Sequence, residues 1–167
     1  MTEPAAHPHR KELDRELGNV RTLINTMGEM VDRAISRAVW GLTQRSVSLC
    51  NAVIADDSDL NDMQRRLREQ VFQIALTQAP VAGDLREIMG FLHMSAELER
   101  MGDHCVSIAK IARTLADLPE LQPRVDLPKM ALYCQEQVRD ILAAVIARNP
   151  DAARAVAERD DRVDRIY

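Results

Sequence analysis

From Leu13 to Leu42 apolar residues recur as Leu13, Leu17, Val20, Ile24, Met27, Val31, Ala34, Ala38 and Leu42, in steps of three and four with no proline among them. Such spacing follows the 3.6-residue period of an α-helix and cannot sit on one face of a strand, whose period is two. It commits the start of the chain to one long amphipathic helix. A helix of that length buries its stripe only along partners of similar length, which points to a helical bundle. Composition agrees: of 167 residues 46% are hydrophobic but only 3% are aromatic, whereas strand-rich proteins lean on aromatic and β-branched side chains. The expected fold class is all-α, with a core of the size that one domain or two small ones can bury.

A second helix is predicted from near Ser46, with Leu49, Val53, Leu60, Met63, Leu67, Val71 and Ile74 on its stripe before Pro80 and Gly83 interrupt it. The third opens at Asp84, where Glu87 three residues on completes a capping-box pattern, and runs to about Ala116. Pro119 and Pro123 mark residues 117–126 as a linker. Pro128 falls in the first turn of a fourth helix that carries Leu127, Met130, Cys134, Val138, Ile141 and Val145. Asn149 and Pro150 read as the cap and first-turn proline of a fifth, continuing through Val156 and Val163 to Ile166. Residues 1–12, polar and including His7 and His9, are expected to form a flexible tail.

Sliding the chain by 103 positions lays Met27 on Met130, Ile35 on Val138, Arg45 on Arg148, Val53 on Val156, Asp57 on Asp160 and Leu60 on Val163. Apolar phase and turn position coincide, which indicates an internal repeat of a three-helix unit. The first copy covers residues 13–116, and the second, 127–167, has two of the three helices. Its stripes then lack one partner, so the chain is expected to self-associate as a homodimer or larger assembly; the alternatives are that helix four folds back on the first bundle or that the last helix frays.

The 22 basic and 26 acidic residues are well mixed and leave a net charge of −4, with no sustained positive field for nucleic acid. The longest apolar run, Ile141 to Ala147, is far short of the ~20 residues that span a bilayer, so no membrane insertion is expected. Cys50, Cys105 and Cys134 are odd in number and lie far apart in helical sequence. That argues against a disulfide framework and for a reducing, cytoplasmic setting. Nucleotide-binding and serine-hydrolase motifs are absent from the sequence.

One constellation could carry chemistry. Glu99 and Asp103 stand one turn apart on the third helix, in line with Leu85, Ile88 and Leu92 at about 100° per residue. The short connection makes helices two and three antiparallel, which would let Asp57 and Asn61, with Asp56 nearby, face that pair across a groove. Carboxylates in a packed groove carry a desolvation penalty unless something compensates them. A hard cation suits such an oxygen-rich set; neutralisation by Arg100, Arg66 or Arg68, or simple hydration, are the structural alternatives. His104 points about 100° away from Asp103, and His93 lies roughly 16 Å from His104 along the helix, too far to share an ion. A ferritin-like di-iron site would need Glu-x-x-His pairs, and the residues three before His93 and His104 are Gly90 and Met101.

Gln78 to Arg86, which reads Q-A-P-V-A-G-D-L-R, followed by Leu98-Glu99-Arg100-Met101-Gly102-Asp103 and then Ser107-Ile108, resembles the PhoU family, the regulators of bacterial high-affinity phosphate uptake. The likeness covers nearly the whole chain from about Leu13 and is most specific from Thr77 to Ala112. It implies two repeated three-helix bundles and a non-enzymatic, cytoplasmic negative regulator of phosphate uptake and phosphate-starvation signalling. The implied partners are the ATPase subunit of the phosphate transporter and the sensor histidine kinase of the phosphate two-component system. It also implies multinuclear iron or zinc clusters on paired E/D-x-x-x-D motifs. Here these motifs fall on Asp57 and Asn61 with Glu99 and Asp103 in the first repeat, and on Asp160 and Asp164 in the incomplete second. Asn61 stands where an acid is expected, and Ser107 where an Asn is expected. A ferritin-like di-iron carboxylate protein and a purely structural helical adaptor are the rival readings.

Overall fold

The computed structural model describes residues 8–119 and 124–166. Their helices are α1 Pro8–Thr43, α2 Val47–Gln78, α3 Ala82–Leu115, α4 Leu127–Ile146, α5 Pro150–Ala157 and the single turn α6 Asp161–Asp164. No strand occurs among the described residues, as the periodicity requires. Helices α1, α2 and α3, each antiparallel to the next in the chain, pack around Leu17, Val20, Ile24, Met27, Leu67, Val71, Ile88 and Phe91, all essentially inaccessible to solvent. Among the described residues no helix is long and apolar enough to cross a membrane.

The internal repeat reappears in backbone detail. At the end of α1, Ser46 N donates to Gly41 O (2.9 Å), and Ser46 Oγ accepts from Leu49 N. At the end of α4, 103 residues on, Asn149 N donates to Ala144 O (2.8 Å), and Asn149 Oδ1 accepts from Ala152 N. The preceding residues Arg45 and Arg148 both have left-handed φ, 53° and 50°. Each device closes a helix and caps the next, so one turn design serves both copies. Asp126 caps α4 as Pro128 suggests, accepting from Lys129 N at 3.0 Å.

Four expectations are revised. The first helix begins at Pro8 rather than Leu13, so residues 8–12 are helical; residues 1–7 lie outside the described residues, as do 120–123 of the expected linker. The third helix starts at Ala82 with Val81 at its cap, and no side-chain capping bond forms there. Asp84 pairs instead with Arg10 of α1 (2.6 Å), and Glu87 takes Arg21 of α1 (2.5 Å) and also Arg148 beyond α4. The single fifth helix is two pieces, α5 and α6, parted by a turn at residues 158–160.

The fourth revision concerns assembly. Helix α4 does not present a bare stripe: it lies along α1, where Gln135 Nε2 donates to Asp32 O at 3.0 Å and Leu142 packs over Gly28. A Cβ at Gly28 would fall 2.0 Å from Leu142 Cδ1, so this crossing depends on the absent side chain. Val138 and Leu142 are buried there at 5% exposure each. Val138 and Leu142 are therefore covered within the chain, whereas Leu127, Met130, Cys134, Ile141 and Val145 of the same stripe stay partly exposed.

Candidate functional site

The α2–α3 crossing sets the geometry. Gly102 of α3 faces Leu60 of α2 so closely that a Cβ would sit 2.4 Å from Leu60 Cδ2 and 3.7 Å from Asp57 Oδ1. This approach brings Asp57 of α2 within electrostatic reach of Glu99 and Asp103 of α3. Asn61 Nδ2 donates to Asp57 Oδ2 at 3.1 Å, while Asp57 Oδ1 is buried with no hydrogen-bond partner. That orphaned carboxylate borders a cavity of about 160 Å³ walled by Arg33 and Arg37 of α1, Asp56 and Asp59 of α2 and Gly102 of α3; Asn61, Glu99 and Asp103 are not among its lining residues.

The carboxylates act on one another electrostatically. Burial first, and the Asp103 carboxylate second, push Asp57 above its ordinary value, outweighing the Asn61 hydrogen bond and the more distant Lys110. Glu99 is raised by burial and then by Asp103 and Asp57, against weaker relief from Arg100 and Arg68. Yet none of Asp57, Glu99 and Asp103 appears in an ion pair among the described residues: Arg100 pairs with Glu97 and Arg65 with Asp62. Asp103 is exposed, so the groove is wetter than a fully packed helix would make it.

Other candidates disperse. Asp56 turns to α1, where Arg37 Nη1 holds its Oδ2 at 2.6 Å, and, already paired, lines the same cavity as Asp57. Asp160 and Asp164 are exposed at the α5–α6 turn, and Asp160 borders a shallow groove with Cys134, Gln137 and Met101 of α3, in which neither Glu99 nor Asp103 takes part. His93 and His104 are exposed, whereas ferritin-like ligands project into the bundle. Burial pushes the Cys105 thiol to about 11, so it stays protonated at neutral pH as a core residue.

Oxygen donors from three carboxylates and an amide suit a hard cation in kind, and the orphaned Asp57 oxygen lacks a counterpart. In number they fall short as placed: among the described residues no three His, Cys, Asp or Glu side chains gather closely enough to hold an ion. Sequence reasoning missed a second feature of this hairpin, the exposed apolar side chains Phe72, Leu76, Val81, Leu85 and Met89. The signal was present in the i, i+4 spacing of Leu85 with Met89 and of Phe72 with Leu76, outside the core stripe.

These features define a helical-bundle protein built from a repeated unit, with a carboxylate-lined groove between two neighbouring helices. The PhoU domain matches residues 24–112 and 127–167, most of the chain, and the chain belongs to the PhoU family. It is 33% identical over 156 residues to the phosphate-specific transport system accessory protein PhoU homolog of Aquifex aeolicus (strain VF5), covering 93% of this chain and 71% of that protein. The corresponding homolog of Rhizobium meliloti (strain 1021) is 32% identical over 165 residues, covering 97% and 69%. The crystal structure of PhoU from Pseudomonas aeruginosa superposes with a TM-score of 0.85 at 31% identity, over 92% of this chain and 74% of that one. The fold also matches the Streptococcus pneumoniae phosphate transport system regulatory protein PhoU, with a TM-score of 0.85 at 24% identity.

Proposed function

We propose that this chain is an accessory regulator of phosphate transport, restraining high-affinity uptake and phosphate-starvation signalling from the cytoplasmic side by binding other proteins rather than by catalysis. The observation that carries the reading is the likeness to phosphate-specific transport system accessory proteins along more than nine-tenths of the chain. Its partners are the ATPase subunit of the phosphate transporter and the sensor histidine kinase of the phosphate two-component system. Long helices pinned to one another at glycine crossings make rigid surfaces for such partners. A purely structural adaptor would share the surfaces but not these partners. Purified chain mixed with the purified ATPase subunit is expected to co-elute with it in size-exclusion chromatography; independent elution of the two would overturn the reading.

The proposal extends to iron or zinc at Asp57, Asn61, Glu99 and Asp103, which would hold the ion through oxygen and brace α2 against α3. What supports it is the orphaned Asp57 oxygen; Glu99 and Asp103 would have to rotate inward to complete the set. Metal retained by the chain above a Glu99→Ala plus Asp103→Ala control is the expected result. Equal retention by the two proteins counts against it.

A further inference from the structure

The outer side of the α2–α3 hairpin has two unlike ends. With Leu60 opposite Gly102, an equal rise along both helices sets Phe72 level with Met89 and Leu76 level with Leu85, each to within a residue. These side chains are exposed by 57%, 46%, 82% and 44%, and Val81 at the turn by 72%. Two rows of apolar side chains on adjacent antiparallel helices form the walls of a shallow groove, the shape into which an amphipathic helix lays its apolar stripe. Ten residues from Met89, about 15 Å along α3, the same groove is walled by Glu99 and Asp103, with Asp57 opposite. Arg68 lies between the two ends and Lys110 beyond them; both act on the carboxylates from a distance, and neither forms an ion pair with them.

We infer that this groove docks an amphipathic helix of a partner protein. In the metal-free chain the helix would seat apolar side chains between Phe72, Leu76, Leu85 and Met89 and present Lys or Arg, about ten residues further on, to Glu99, Asp103 and Asp57, for which a bound cation would compete. The inference rests on the protein-binding role proposed above and names the surface and chemistry that would serve it. Charge complementarity selects this occupant. An anionic membrane would cover the apolar end but be repelled by the carboxylates. A second copy of the same face would set carboxylates against carboxylates in one orientation and against apolar side chains in the other.

The test uses the full chain, chelator-treated so that the acids carry no metal. Its probe is a fluorescent helical peptide of about 20 residues (~30 Å) with a Leu stripe in its first half and Lys on the same stripe in its second. A control peptide carries Glu in place of Lys. The Lys peptide is expected to bind saturably and at least about tenfold tighter than the Glu peptide, with the difference shrinking at high salt. Phe72→Glu, at an exposed position that leaves the core intact, is expected to weaken binding about tenfold or more, as loss of a central anchor does. Glu99→Gln with Asp103→Asn is expected to abolish the preference for Lys over Glu. Equal affinity for both peptides, or no effect of Phe72→Glu in a variant with unchanged circular dichroism, overturns the inference. So does binding to phosphatidylglycerol vesicles in place of the peptide, or a shift in sedimentation between parent and Phe72→Glu that reveals a dimer on this face. Co-elution with the ATPase subunit that survives Phe72→Glu would leave the regulatory reading standing and remove this groove from it; peptide binding without co-elution would do the reverse.

Discussion

Asp57 keeps one carboxylate oxygen out of water with no donor against it, and its other oxygen takes Asn61 Nδ2 at 3.1 Å. Burial and the facing Asp103 raise Asp57 above 3.8, and Glu99 is likewise raised above 4.5. Each therefore binds its proton more tightly folded than unfolded, and the stability so gained is complete below the unfolded value and lost as pH rises through the folded one. At pH 7 the metal-free chain bears the full cost of both charges. Asp57→Asn is accordingly expected to raise the urea midpoint at pH 7, with the advantage shrinking as pH falls to 3.8 and below. A variant less stable than the parent at pH 7 would mean that a cation already neutralises Asp57. Sequence spacing was enough to put Asp57 on α2 within electrostatic reach of Glu99 and Asp103 on α3, because the short turn at Pro80 leaves α3 only an antiparallel path. It could not separate Asp57 from Asp56, since only the position of Arg37 on α1 decides which neighbour is drawn away.

At the scale of the element, periodicity located α1 to α4 because each stripe runs for several turns, and capping chemistry placed Asn149 correctly; Ser46 and Asp126 cap α2 and α4 in the structure without having been singled out as caps. Glu87 misled because its real partners, Arg21 and Arg148, are 66 and 61 residues away and share no local pattern with it. The α5–α6 break has no glycine or proline to announce it; Val156 and Val163 keep helical spacing straight across it. Which helix α4 would cover was also hidden, since a stripe states how much must be buried and not against what. Gly28 carries that information in the structure. Gly28→Ala would drive a methyl into Leu142, and the overpacking is expected to cost about 1–3 kcal/mol, read as a lower denaturation midpoint. Leu142→Ala in the same chain should restore part of the loss. Additive losses would show that Gly28 and Leu142 do not meet.

For the whole molecule, α1 is the shared spine, covered by α2 and α3 on one side and by α4 on another. A chain ending after Ala116 would lose Val138 and Leu142 from that second side, each worth ~1.5–3 kcal/mol when fully buried. It is expected to be less stable or to self-associate; a truncated monomer as stable as the full chain would show that α4 contributes no cover. The repeated turn at Arg45–Ser46 and Arg148–Asn149, the α2–α3 groove and the PhoU relationship together support a regulator that works by presenting surfaces. The most direct measurement of that claim is a phosphate-starvation promoter reporter in phosphate-rich medium, read with the chain's gene intact, deleted and restored. The account predicts that the reporter switches on in the deletion strain and off again on restoration; continued repression in the deletion strain, with no paralogue to substitute, would contradict it.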